Sequence, residues 1–156
     1  MSEIQKVGEN EKMTAKEYLS QIAILKTKIQ QKQQELQELF EFDGLSATRY
    51  DAQKSTKQAR DAAFVRTIEK RDILANKINK MISKYIFLKN KIIAQIHEVD
   101  NVSYIQILYK KYVEFKRLED IADEMSYSHD RIRHLHGEAL QAFTRKHGAA
   151  GKFPKC

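Results

Sequence analysis

A chain of 156 residues with 5 Gly, 1 Pro and no Trp lacks the closely spaced turn residues of a sheet protein, and its length suits one or two small domains. The composition, 42% hydrophobic and 31% charged, is material for long helices. One cysteine, Cys156, excludes an internal disulfide, and a net charge of +7 suits a polyanionic partner.

Residues 1–13 are polar and without period, the pattern of a frayed tail, and they hold no apolar stretch of the secretory kind. No apolar run approaches the roughly 18 residues that span a bilayer, so the expectation is a cytoplasmic protein with no membrane contact. Thr14-Ala-Lys-Glu17 has the spacing of a capping box, a hydroxyl followed three residues later by Glu. After it Tyr18, Ile22, Leu25, Ile29, Lys32, Leu36 and Leu39 alternate in steps of three and four, a heptad seam interrupted once by a lysine. Phe42-Asp43-Gly44 should end this helix, and residues 44–57, rich in Ser, Thr, Asp and Gly, read as a loop. Its Arg49, Tyr50, Lys54 and Lys57 are more simply solvated than bound to phosphate.

A second helix is expected over about 57–98. Its seam is Phe64, Ile68, Ala75, Ile78, Ile82, Tyr85, Ile92 and Ile96, widened by Leu74, Met81 and Leu88. The two helices should fold back as an antiparallel hairpin over 14–99. The second is longer and needs further cover, from the C-terminal region or from a second copy. A single hairpin has one thin seam, which favours a homodimer with Ile22, Leu25, Ile29, Leu36, Ile78, Ile82, Tyr85 and Ile92 at its seam.

Asp100-Asn101-Val102-Ser103 breaks the pattern and offers caps. Three short elements follow within 100–147: a helix over 103–113, another over 118–125, and a third capped by Ser128 and ending near His147-Gly148. Residues 148–156 read as a disordered basic tail with Lys152 and Lys155. On the third helix Ile132, Leu135, Ala139 and Phe143 share one face. Asp130, Arg133, His134, Gly137 and Gln141 share the opposite one. A short helix, a tight turn and a helix with one apolar and one basic face form a helix-turn-helix, whose second helix enters a DNA major groove. The expected fold is therefore all-α: a long coiled-coil-like hairpin followed by a three-helix helix-turn-helix domain.

The stretch Leu108-Tyr-Lys-Lys-Tyr, then Leu118-Glu-Asp-Ile-Ala-Asp-Glu-Met-Ser-Tyr-Ser-His-Asp-Arg-Ile-Arg-His-Leu-His-Gly-Glu-Ala-Leu140, resembles region four of bacterial sigma factors. With the Thr-Ala-Lys-Glu-Tyr-Leu helix before it, the whole chain looks like a family of small phage- and prophage-encoded proteins of Gram-positive bacteria. The hairpin is expected to dimerise or engage host RNA polymerase, and the resemblance, to a family described as of unknown function or as sigma-like transcription regulators, implies a DNA-binding transcription regulator. It places His129, Asp130, Arg133 and His134 at base edges. It leaves Arg131, Lys116 and Arg117 to phosphates, with Arg145, Lys146 and the tail adding non-specific affinity for double-stranded DNA. The family's turn carries Gly where Ser126 stands here, and its first helix a Ser or Thr cap where Arg117 stands.

Other chemistries have less behind them. His129, His134 and His136 stand five and two apart rather than at the i, i+4 spacing of converging zinc ligands, so no metal is expected. No phosphate-binding glycine loop or nucleophile motif is present, so neither an enzyme nor a cofactor is expected. Two rivals to the regulator remain. One is a DNA-packaging protein similar in plan to small terminase subunits. The other is an adaptor that binds a phage or host partner through the coiled coil.

Overall fold

Helices α1 (Ala15–Arg49), α2 (Lys57–His97), α3 (Val102–Tyr112), α4 (Leu118–Met125) and α5 (His129–His147) account for nearly all of the described residues in the computed structural model. The structure describes residues 13–49, 57–148 and 153, with the backbone alone over 42–49, and contains no strand among them. The chain is all-α.

The capping box forms as its spacing requires. The Thr14 amide donates to Glu17 Oε2 at 2.8 Å, and the Glu17 amide donates to Thr14 Oγ1 at 3.3 Å. The end of α1 departs from the sequence expectation, because the helix passes through Asp43 and Gly44 and stops only at Arg49. Glycine costs a helix about 1 kcal/mol against alanine but does not forbid it, and no proline follows to do so. The expected loop thus begins later. Its Tyr50 and Lys54 lie outside the described residues, and Lys57 is already helical.

The contacts divide the chain into two compact units, Leu25–Ile86 and Met1–Ile24 with Phe87–Cys156. In the first, an Arg71 Nη donates to the Leu39 carbonyl at 3.1 Å, and its guanidinium sits 4.2 Å from the Phe40 ring centroid. Ile29 and Ile78 are buried, while Leu36, Leu39, Leu74 and Ile82 are half-buried. Phe64 and Ile68, expected in the seam, are exposed. Spacing places residues on a common stripe, but only a covering partner buries them.

The second unit has two centres. In one, Ile107, Ile121, Ala122, Ile132 and Leu135 lock α3, α4 and α5 together, with Tyr104, Leu118 and Met125 at the margin. Full burial of each such aliphatic side chain contributes about 1.5–3 kcal/mol. In the other, Tyr18 and Phe143 surround Phe153: ring centroids lie 4.7 Å apart for Tyr18–Phe153 and 5.4 Å for Phe143–Phe153. The expectation of a disordered tail is therefore corrected at Phe153. Its backbone pairs with Met13 through bonds of 2.8 and 2.9 Å, and its side chain is buried. Met13 is likewise tied down rather than frayed. Residues 1–12, 149–152 and 154–156, with Lys152 and Lys155, lie outside the described residues.

Two local features set up α5. Asn101 caps α3, its Oδ1 accepting from the Ser103 and Tyr104 amides at 2.9 and 3.3 Å. Ser126 ends α4 in the left-handed region, φ 56° and ψ 40°, at the turn position where glycine is the residue expected of a helix-turn-helix. A left-handed residue with a Cβ is strained by roughly 1–2 kcal/mol, and glycine recovers part of that against its greater unfolded-state entropy. Ser126→Gly is expected to raise the unfolding free energy by about 0.5–1 kcal/mol, read as a higher urea midpoint at unchanged slope.

Candidate functional site

The side chains singled out in the sequence do not form one surface. Ser128 caps α5, its Oγ accepting from the Arg131 amide at 3.2 Å. Ile132, Leu135, Ala139 and Phe143 then point inward and are buried. The first two turns therefore turn outward His129, Asp130, Arg131, Arg133 and His134, all exposed. Arg133 is held only loosely, 3.8 Å from Asp130 across one turn, and its side chain is 64% exposed. Pairs of this kind contribute little and break readily. The Arg133 fork is thus available to another acceptor.

Lys116 and Arg117 are placed differently. The Lys116 ammonium lies 2.7 Å from Glu124 and 2.9 Å from Glu114. Those carboxylates, Glu124 foremost, push its pKa up to about 12. Lys110 joins the same carboxylate at 2.6 Å. Arg117 stands at the α4 cap without capping it, and its guanidinium reaches Asp120 at 3.3 Å instead. Both residues are already engaged with carboxylates. Arg145 and Lys146 lie at the other end of α5, about 18–20 Å from Arg133 along the helix, and Lys146 pairs with Asp100 at 3.3 Å.

The three clustered histidines go three ways. His129 faces Asp123 at 3.9 Å, and His134 is exposed. His136 is half-buried, its Nε2 3.0 Å from the Tyr112 hydroxyl. Burial, with lesser contributions from Lys111 and Lys16, pushes the His136 imidazole down to about 4. Burial likewise pushes the Tyr112 phenol up to about 12. The phenol therefore stays protonated beside a neutral ring, and the two share one hydrogen bond.

Protonating His136 places a charge in this half-buried site, which burial disfavours. The unfolded chain binds the proton near pH 6.5 and the folded chain only near 4, so the unfolded state holds more protons between the two. Stability should fall as pH drops from 6.5 to 4. His136→Gln should flatten that decline by about 1 kcal/mol, less than the full linkage because the ring is partly screened by solvent. Urea melts at pH 7 and pH 4.5 test this, and identical slopes for variant and wild type would refute it.

Sequence reasoning missed the carboxylates that occupy Lys116 and Arg117. Glu124 lies one turn beyond Asp120 on α4, and such i, i+4 pairs report a charged face without saying which bases it meets. It also missed Phe153, an isolated aromatic in a polar run. The seam residues assigned to a dimer are largely used within the chain. Ile22 and Ile92 are fully buried and Ile29 and Ile78 nearly so, while Leu25, Leu36, Ile82 and Tyr85 are half-buried.

No protein-family model matches this chain, and no curated protein or solved structure matches it. Among the described residues, no helix is long and apolar enough to cross a membrane.

Proposed function

We propose that the chain is a DNA-binding transcription regulator. In this reading α3 to α5 form a helix-turn-helix domain, and the first two turns of α5 enter the major groove. α1 and α2 form an antiparallel hairpin that joins a second copy or contacts RNA polymerase. One observation carries the reading. α5 buries Ile132, Leu135, Ala139 and Phe143 while turning His129, Asp130, Arg133 and His134 outward, directly after a tight turn at Ser126. That is the division of labour a recognition helix needs: one face holds the helix, the other is free to read base edges.

Within that row each side chain has a role. The Arg133 guanidinium can donate two bonds to guanine O6 and N7, and Asp130, one turn earlier, can orient it or accept from cytosine. His129 and His134 add short polar contacts on either side, and Arg131 meets phosphate. Lys116 and Arg117 contribute less as phosphate contacts than their position suggests, because phosphate competes there with carboxylates already in place. For the dimer, the exposed Phe64, Val65, Ile68 and Ile73 of α2 supply apolar surface that the buried seam no longer can. The test is binding of purified protein to a pool of DNA fragments from its own source at two salt concentrations. Retention of a few fragments at the higher salt is expected. Equal loss of all fragments would reject sequence reading.

A further inference from the structure

The positive charge of this chain is not where the reading helix is. Residues 102–148 carry eight Lys and Arg against seven Asp and Glu, a net +1. Several of those bases are paired: Lys110, Lys116, Arg117 and Lys146 each lie within 3.3 Å of a carboxylate. By contrast, residues 73–97 hold five lysines and no carboxylate. Three of these, Lys77, Lys80 and Lys84, stand at steps of three and four on α2, so they share one face within an arc of about 60°. All three are exposed, and none has an ion-pair partner among the described residues. Like charges at these spacings repel and weaken the helix that carries them. An uncompensated row of this kind is relieved by a polyanion.

We propose that Lys77, Lys80 and Lys84 form a phosphate-contacting surface for DNA, separate from the base-reading row on α5, and that it supplies much of the salt-sensitive affinity. This rests on the DNA-binding reading above. The row rises about 10 Å along α2, close to the axial rise of three nucleotides on one strand, at about 3.4 Å each. Ammonium groups on long, flexible stems suit phosphate oxygens, which need charge more than fixed geometry. The division follows: α5 discriminates between sequences and α2 holds DNA of any sequence.

The experiment compares the full-length wild type, a Lys77→Gln/Lys80→Gln/Lys84→Gln variant and Arg133→Ala. Each is titrated with the retained fragments and with a scrambled duplex between 50 and 200 mM salt. Gln has nearly the helix propensity of Lys, so the triple variant should keep the wild-type helical signal and melting curve. Three phosphate contacts correspond to a slope change of about 2.7 in log K against log salt. The wild type should therefore lose roughly 40-fold more affinity than the triple variant over this fourfold salt increase. The triple variant should bind both duplexes more weakly at low salt while preserving their ratio. Arg133→Ala should instead collapse the ratio and keep the slope. An unchanged slope in the triple variant, with fragment preference still lost in Arg133→Ala, overturns the lysine surface and leaves the DNA reading standing. No binding by the wild type even at 50 mM overturns both. Polyglutamate binding that depends on the three lysines, beside an unchanged DNA slope, reassigns the row to an acidic protein and overturns the proposal.

Discussion

Phe143→Ala should cost the chain about 3–5 kcal/mol of stability, the usual range for emptying a fully buried aromatic site. Phe143 has no exposed surface. Its ring meets Tyr18 at 6.4 Å, Phe153 at 5.4 Å and His147 at 4.9 Å between centroids. These neighbours come from the start of α1, from beyond α5 and from the end of α5 itself. None can fill the void alone, since each is fixed elsewhere: Tyr18 by a 2.9 Å bond to Gln95, Phe153 by its pairing with Met13, and His147 by the Gln95 carbonyl at 2.8 Å. A site that cannot collapse retains its cavity, which places the cost toward the upper end. Domains of this kind are stable by only about 5–15 kcal/mol. Thermal melting followed by circular dichroism should therefore drop by about 10 °C, at roughly 2–4 °C per kcal/mol. A shift under 2 °C would mean that the aromatic centre contributes little to holding the ends of the chain together.

The same cluster marks what was legible in the sequence. Ile132, Leu135, Ala139 and Phe143 announce themselves by steps of three and four, and all four are buried. Ser128 and Asn101 announce caps, and both accept amide bonds as caps do. These signals are local: the residues that make them are separated by a turn of helix or less, so periodicity and side-chain type suffice. Phe153 was not legible, because its partners stand as far away as Met13 and Tyr18 in sequence and no period connects them. The end of α1 was misread for a related reason. Asp43-Gly44 is a stop signal in local statistics, yet a modest propensity cost is overridden when the helix on either side continues. In the candidate site, exposure of the α5 row was legible from the opposite buried stripe. The engagement of Lys116 was not, since Glu124 reaches it from another element across eight residues.

The occupied state of Lys116 sharpens the expected result at Arg133. Arg133→Ala should weaken binding to the preferred fragments by about 10- to 100-fold, the discrimination of about 1–3 kcal/mol that a bidentate arginine–guanine contact provides. Its effect on a scrambled duplex should be slight, because one charge among several changes non-specific affinity little. The fold should be untouched: the side chain is exposed and its link to Asp130, at 3.8 Å, is too long for a strong pair. Lys116→Ala supplies the contrast. It removes an equal charge close in sequence to α4, but that charge is already matched by Glu114 and Glu124. It should leave fragment preference unchanged and affinity within about threefold, a difference below 1 kcal/mol. Fluorescence anisotropy with both duplexes and both variants separates the outcomes. Equal losses in the two variants would mean that the protein senses charge alone and that the α5 row reads nothing. A large loss at Lys116 with none at Arg133 would move the contact surface to the start of α4 and require its carboxylates to release the lysine on binding.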